Sequence, residues 1–215
     1  EDYFVNITKE TEPLMALETL VPVWNTVLPI QAHALDRATE LKIVVLGSTQ
    51  KEFSWVRDSY PQAQLLSLPS LANIEQIQSA LNGISFDQLL WVAPDFSETQ
   101  HSKTIVEQQE HGVLQVFRTA KALLNTTYAT KEFEWTVITR ESQLVQKQDP
   151  ILPTNASIVG LVGSLAKELP NWKFRLLDLE SLSAISAKQC LSIECQPQGD
   201  VFAYRRKEWF YQTLA

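Results

Sequence analysis

The segment from Ala156 to Glu180 constrains this chain most. Ala156-Ser-Ile-Val-Gly-Leu-Val-Gly-Ser-Leu-Ala-Lys-Glu168 reads as a helix rich in small residues. Pro170-Asn-Trp172 is a turn, and Lys173-Phe-Arg-Leu-Leu-Asp178 is an apolar strand ending at Asp178-Leu-Glu180. A helix feeding directly into a buried strand is half of a βαβ unit, and such units build parallel sheets. The same alternation precedes it. Leu41-Lys-Ile-Val-Val-Leu-Gly47, Gln64-Leu-Leu-Ser-Leu68, Phe86-Asp-Gln-Leu-Leu-Trp-Val-Ala93 and Glu134-Trp-Thr-Val-Ile-Thr139 are short apolar runs rich in β-branched or aromatic residues, the pattern of strands covered on both faces. Between them lie helical stretches. The first spans Ser48 to Arg57, with Ser48 or Thr49 as its N-cap. A second is capped by Ser70, carries Leu71, Ile74, Ile77 and Leu81 on one face, and ends at Gly83. A long one runs from Lys103 to Asn125, its buried face formed by Ile105, Val106, Val113, Val116, Phe117, Ala120 and Leu124 and weakened at Gly112. A last helix covers 182–192.

The expected fold is therefore an α/β, Rossmann-like parallel sheet with helices on both faces. Two pieces fall outside the alternation. Leu20-Val-Pro-Val-Trp24 is a short strand, and Pro22 confines it to an edge because proline cannot donate to a ladder. Asp200-Val-Phe-Ala-Tyr-Arg205 and Glu208-Trp-Phe-Tyr-Gln212 form a closing hairpin over Arg206-Lys207. Both are expected to extend an edge or to meet a neighbour. Residues 1–19 read as a linker and 20–215 as one domain.

Composition narrows the function classes. A net charge of −7 opposes nucleic-acid binding, which needs a basic face. No run approaches the ~20 apolar residues of a membrane span. Cys190 and Cys195 lack histidine partners at metal-site spacing and are expected as free thiols in a reducing cytoplasm.

Each familiar chemistry of such a fold can be tested against the residues. A dinucleotide site needs glycines in the first βα turn, so that backbone amides approach the pyrophosphate. Here the turn is Leu46-Gly-Ser-Thr-Gln-Lys-Glu-Phe53, only Gly47 remains, and Lys51, Glu52 and Phe53 crowd the seat. A short-chain reductase needs Tyr-x-x-x-Lys, which places both side chains on one helical face so that the lysine can lower the tyrosine pKa. Four residues after Tyr3, Tyr60, Tyr128, Tyr204 and Tyr211 stand Ile7, Gln64, Glu132, Glu208 and Ala215. No Gly-x-Ser-x-Gly elbow seats a hydrolase triad. Gly160, Gly163 and Ser164 read as small residues that let their helix lie close to the sheet. His111 reads as a half-buried or surface histidine within its helix, and Asp178 and Glu180 as ordinary strand-end acids.

Five motifs recur in order: Val21-Pro-Val-Trp24, Glu134-Trp-Thr-Val-Ile-Thr-Arg140, Gly160-Leu-Val-Gly-Ser-Leu-Ala-Lys-Glu-Leu-Pro-Asn-Trp172, Arg175-Leu-Leu-Asp-Leu-Glu180 and Val201-Phe-Ala-Tyr-Arg205. Together, over about 20–212, they resemble the structural subdomain of ketoreductases in modular polyketide synthases, most closely bacterial synthases whose acyltransferase acts in trans. The resemblance implies a truncated, short-chain-dehydrogenase-related domain without cofactor or catalytic residues of its own. NADPH and the Ser/Tyr/Lys residues are expected in a separate catalytic half that reduces β-keto groups on carrier-bound acyl chains. It implies as partners that catalytic half and adjacent synthase domains, met through a surface formed by Val21, Val23, Trp24, Val201, Tyr204, Trp209 and Tyr211. A reduction-dead pseudo-domain beside a methyltransferase is the variant of this reading, and an independent nucleotide binder is the alternative. An acyl carrier protein is a further candidate partner. Carrier proteins are acidic, so one would need clustered basic residues, of which Arg205-Arg206-Lys207 is the dense group.

Overall fold

The computed structural model describes residues 21–28, 41–47, 49–94 and 105–215. The linker 1–19, Ser48, His33, His101 and the loop 95–102 with the expected helix start at Lys103 lie outside these residues.

Eight strands form one sheet in the order β1-β8-β7-β6-β5-β4-β2-β3. They are β1 (Pro22–Val27), β2 (Ile43–Leu46), β3 (Gln64–Leu65), β4 (Gln88–Val92), β5 (Phe133–Arg140), β6 (Trp172–Leu179), β7 (Val201–Arg205) and β8 (Glu208–Leu214). β2 to β7 are mutually parallel; β8 runs antiparallel to β7, and β1 antiparallel to β8. The six parallel strands stand in the order β3-β2-β4-β5-β6-β7, a doubly wound arrangement whose order reverses between β2 and β4. This is the Rossmann-like parallel sheet with helices on both faces expected from the alternation.

The helices are α1 (Gln50–Ser59), α2 (Ile74–Leu81), α3 (Ile105–Gln109), α4 (Val113–Leu124), α5 (Ser157–Glu168) and α6 (Ala187–Leu191). One face of the sheet carries Val44, Leu46, Leu89, Trp91, Trp135, Phe174 and Leu176 beneath α2, α4 and α5. The other carries Ile43, Val45, Leu90, Ile138, Leu177 and Phe202 beneath α1 and α6. Strands buried on both sides explain why β2, β4 and β7 are buried at every position. On the first face, Phe86 stacks on Tyr128 at 4.1 Å between ring centres, and the Trp172 indole donates to the Tyr128 carbonyl at 2.9 Å.

Several expectations change. Gln64-Leu65 is an edge strand of two residues, not a central one, because nothing pairs on its far side among the described residues. The N-cap of α2 is Asn73 in a capping box with Gln76; Ser70 sits in a preceding turn where Leu71 takes φ 59° and is half exposed. The long helix breaks at His111-Gly112 into α3 and α4. A Cβ on Gly112 would stand 2.9 Å from Asn155 Oδ1, so the break fits glycine closely against the start of α5. The break rephases the face: Val116, Ala120 and Leu123 are buried, while Ile105, Val106 and Phe117 are exposed. The segment 182–192 is a 3-10 turn followed by the five-residue α6.

The small residues of α5 serve differently as well. Ile158, Val162 and Ala166 face the sheet, a Cβ on Gly160 would meet open space, and Gly163 lies against the Gly199 turn. Finally, β7 is not outside the parallel sheet but its last member, and the hairpin and β1 continue that sheet. The hairpin turn Arg206-Lys207 has φ 52° and 68°, the paired left-handed geometry that matches strand twist. Among the described residues, no helix is long and apolar enough to cross a membrane.

Candidate functional site

In open α/β sheets, ligands bind outside the C-terminal ends of the strands, where the strand order reverses. Here that point lies between β2 and β4, beside the β2–α1 turn. Gly47 turns the chain at φ +72°, and a Cβ there would meet the Trp91 indole at 2.5 Å. The glycine thus makes room for a fully buried tryptophan from β4. The first turn of α1 offers free amides, as every helix N-terminus does. The Glu52 carboxylate accepts a hydrogen bond from the Thr49 N–H, closing a capping box. Its other oxygen pairs with the Arg140 guanidinium, which also donates to the Ala93 carbonyl at 3.2 Å. An anion at this seat would meet a buried carboxylate of its own sign. Of the three crowding residues expected here, Glu52 fills the position, Phe53 turns into the core, and Lys51 is exposed.

A second ion-pair system lies beyond β5, β6 and β7. Asp178, fully buried on β6, accepts from Thr139 Oγ1 at 2.6 Å, Ser142 Oγ at 2.8 Å, the Ser142 N–H at 3.0 Å and the Gln143 N–H at 3.2 Å. It pairs with Arg205 of β7, whose guanidinium also donates to the Asp178 carbonyl at 2.8 Å. Asp149 adds a second buried carboxylate, 3.7 Å from Arg205 Nε and 3.0 Å from Arg206. Every oxygen of Asp178 is thus engaged, and the network holds the loop 141–150 over the strand ends. The dense basic group 205–207 is therefore no free patch: Arg205 is buried, and Arg206 is paired with Asp149 and bonded through its N–H to Glu180. Sequence reading passed over Asp178 as an ordinary strand-end acid. Charges set within apolar runs, Arg175 and Asp178 in Phe174-Arg-Leu-Leu-Asp-Leu179 and Arg205 closing Val201-Phe-Ala-Tyr-Arg205, are the signal that could have exposed it.

Cavities occur at the opposite, N-terminal ends of the strands. One of about 450 Å³ is lined by Glu134, Trp172, Lys173, Arg175 and Cys195. Burial pushes the thiols of Cys190 and Cys195 up to about 12, so neither is a thiolate nucleophile near neutral pH. Both cysteines are free, and His111 is half-buried in the turn between α3 and α4 rather than inside a helix. No group of metal-ligating residues occurs among the described residues.

The seven residues expected to form a partner surface all lie on β1, β7 and β8 or at the end of β1, but on both sides of the sheet. Residues directly opposite share a face, so the pairings Val23↔Thr213, Asn25↔Tyr211, Tyr204↔Trp209 and Phe202↔Tyr211 put Val21, Val23, Tyr204, Trp209 and Tyr211 on the α1/α6 side. Trp24 and Val201 lie on the other. Val201 and Tyr204 are buried within the chain's own core, and Val21 is 51% exposed. Val23, Trp24, Trp209 and Tyr211 are half-buried. Tyr204 and Trp209 approach to 4.9 Å, and Tyr211 donates its hydroxyl to Asp200 at 2.7 Å. Thr26 and Val27, not singled out from sequence, complete the outer strand.

No protein-family model matches the chain. The polyketide synthase PksN of Bacillus subtilis (strain 168) is 32% identical over 192 residues, 88% of this chain and 4% of the synthase. The polyketide synthase PksM of the same organism is 32% identical over 198 residues, 91% of this chain and again 4% of the synthase. The chain thus spans only a small fraction of the length of these relatives. A solved A-type ketoreductase from a modular polyketide synthase superposes with a TM-score of 0.63 at 15% identity, over 91% of this chain and 42% of that one. Conserved sequence with a synthase segment and shared fold with a ketoreductase coincide over nearly the whole chain: it is a ketoreductase-related segment of the polyketide synthase family.

Proposed function

We propose that this chain is the structural, non-catalytic subdomain of a polyketide synthase ketoreductase. It braces a separate NADPH-binding half that reduces β-keto groups on carrier-bound acyl chains. The observation that carries the reading is the occupied N-terminus of α1. Glu52 and Arg140 fill the place where a pyrophosphate would sit, and Trp91 fills the space behind Gly47. The absence of Tyr-x-x-x-Lys from the sequence agrees with it. A reduction-dead form of the same scaffold, standing beside a methyltransferase, has the same physical role.

The test is to mix the purified chain with a separately produced reductase half from the same synthase. NADPH oxidation with a β-ketoacyl thioester should rise when the chain is added, and the two should co-elute. Failure both to associate and to raise activity would overturn the reading. A thermal shift of several degrees for the chain alone with NADPH or ATP would instead favour an independent nucleotide binder, since a ligand of the native state raises stability by mass action.

A further inference from the structure

The two edges of the sheet differ. At one, β3 pairs through two residues only, a short edge that offers little to a passing strand. At the other, β1 is six residues long, and nothing pairs with its outer side among the described residues.

The hydrogen-bond parity of β1 fixes which groups face outward. Val21 and Ala215 exchange both main-chain bonds, at 2.9 and 3.0 Å. In an antiparallel ladder such pairs recur at every second residue. Val23, Asn25 and Val27 therefore direct their N–H and C=O groups toward β8, while Pro22, Trp24 and Thr26 direct theirs away from the sheet. Pro22 thus stands at a position whose N–H the β8 ladder does not use. Trp24 and Thr26 present two donors and two acceptors in line. Side chains beside them are half-buried on both faces: Trp24 on one, Val23, Val27 and Trp209 on the other. Long open edges are ordinarily shielded by charge, proline, a bulge or a covering element, and here Pro22 shields only the first outward position, leaving Trp24 and Thr26. This one carries neither Lys nor Glu from Val21 to Val27.

We propose that the outer edge of β1 takes a ninth strand by main-chain pairing, and that an extended segment of the reductase half supplies it. This rests on the bracing reading above. The solved ketoreductase chain of the same fold extends well beyond the part this chain covers, which is 42% of it, so that protein carries a larger body on one polypeptide with this fold. The partner segment donates to the Trp24 and Thr26 carbonyls and accepts from their N–H groups. Recognition is by backbone, with the aromatic side chains packing alongside.

Hydrogen exchange read residue by residue tests this in the 215-residue chain, alone and with the separately produced reductase half. Alone, the Val23, Asn25 and Val27 amides should exchange slowly and those of Trp24 and Thr26 fast; with the partner, the last two should become protected. Thr26→Pro removes an outward donor and leaves the β8 side intact. It should weaken the complex by roughly tenfold, the loss of one good hydrogen bond, with the melting temperature of the isolated chain unchanged. Binding without protection at Trp24 and Thr26, or unaffected by Thr26→Pro, overturns the inference and leaves the bracing role standing. Protection of both amides in the isolated chain, whether by its own residues or by a second copy, overturns the inference too. Absence of any complex overturns both.

Discussion

Along the C-terminal ends of the parallel strands the chain fills its own surface with charge, whereas at the β1–β8 flank it leaves half-covered aromatics and an open edge. The first region pairs Glu52 with Arg140 and Asp178 with Arg205, with Glu52, Asp178 and Arg205 buried and Arg140 half-buried. The second pairs main chain on one side only and stacks Tyr204, Trp209, Phe202 and Tyr211 on a sheet face. The contrast teaches where a fold of this kind keeps its capacity to interact. Buried ion pairs are specific and self-satisfying, and a partner gains little by competing with them. Half-buried aromatics and unpaired backbone groups gain from any surface that covers them.

The comparison breaks most visibly at Asp178. Asp178→Ala leaves buried Arg205 with only the more distant Asp149 carboxylate, at 3.7 Å, and should cost about 3 kcal/mol in urea unfolding. A loss below about 1 kcal/mol would mean that water reaches Arg205 and the region is open after all. Replacing the pair together, Asp178→Leu with Arg205→Met, should recover part of the loss, because both charges are then gone.

Gly47→Ala comes next. It forces a left-handed residue against the Trp91 indole, and about 2–4 kcal/mol is expected from backbone strain and overpacking combined. If the variant melts like the parent, Trp91 does not fill the space behind the turn. On the open flank the effects should be smaller. Trp209→Ala removes a side chain only partly withdrawn from water and should cost about 1–2 kcal/mol. The same change should weaken association with a reductase half, whereas Asp178→Ala acts through folding. Equal effects of Trp209→Ala on folding and on association would erase the distinction between the two regions.

Alkaline pH supplies a weaker probe. The hydrogen bond to Asp200, with burial, raises the Tyr211 hydroxyl to about 12 from an ordinary value near 10. Its protonated form is favoured in the fold. The contribution is therefore complete below pH 10 and is lost as pH climbs through about 12. Cys190 acts in the same direction between 9 and about 12, because burial raises its thiol. Tyr211→Phe should flatten part of this decline, and an unchanged profile would remove Tyr211 as its source. Smallest of all, Lys173→Ala deletes an exposed pair with Glu132 and should shift stability by no more than about 0.5 kcal/mol.

Much of the fold is legible in the chain. Apolar runs at 43–46, 88–92, 133–140 and 172–179 are strands because residues buried on two faces need no alternation. Pro22 marks β1 as an edge because it cannot serve an interior ladder. The missing glycines and the missing tyrosine–lysine pair are equally local facts. Less legible was anything that depended on what lies across the sheet. Gly112 is legible as the weak point of its helix, but not the break itself, since the glycine answers to Asn155, 43 residues later. Gly163 was taken as a contact with the sheet and instead meets the Gly199 turn. The basic run at 205–207 suggested a charged surface, yet Arg205 points inward to an acid 27 residues earlier.

The sequence alone determined the succession of strands and helices, because apolar run length, capping residues and proline act within a few residues of themselves. It also determined which familiar chemistries are missing, because those require particular side chains at fixed spacing. Tertiary structure alone decided the strand order, the pairing of Asp178 with Arg205 and of Glu52 with Arg140, and the direction in which each amide of β1 points. Those depend on distance between groups far apart in the chain, and in a twisted sheet such distances exist only once every strand has found its neighbour.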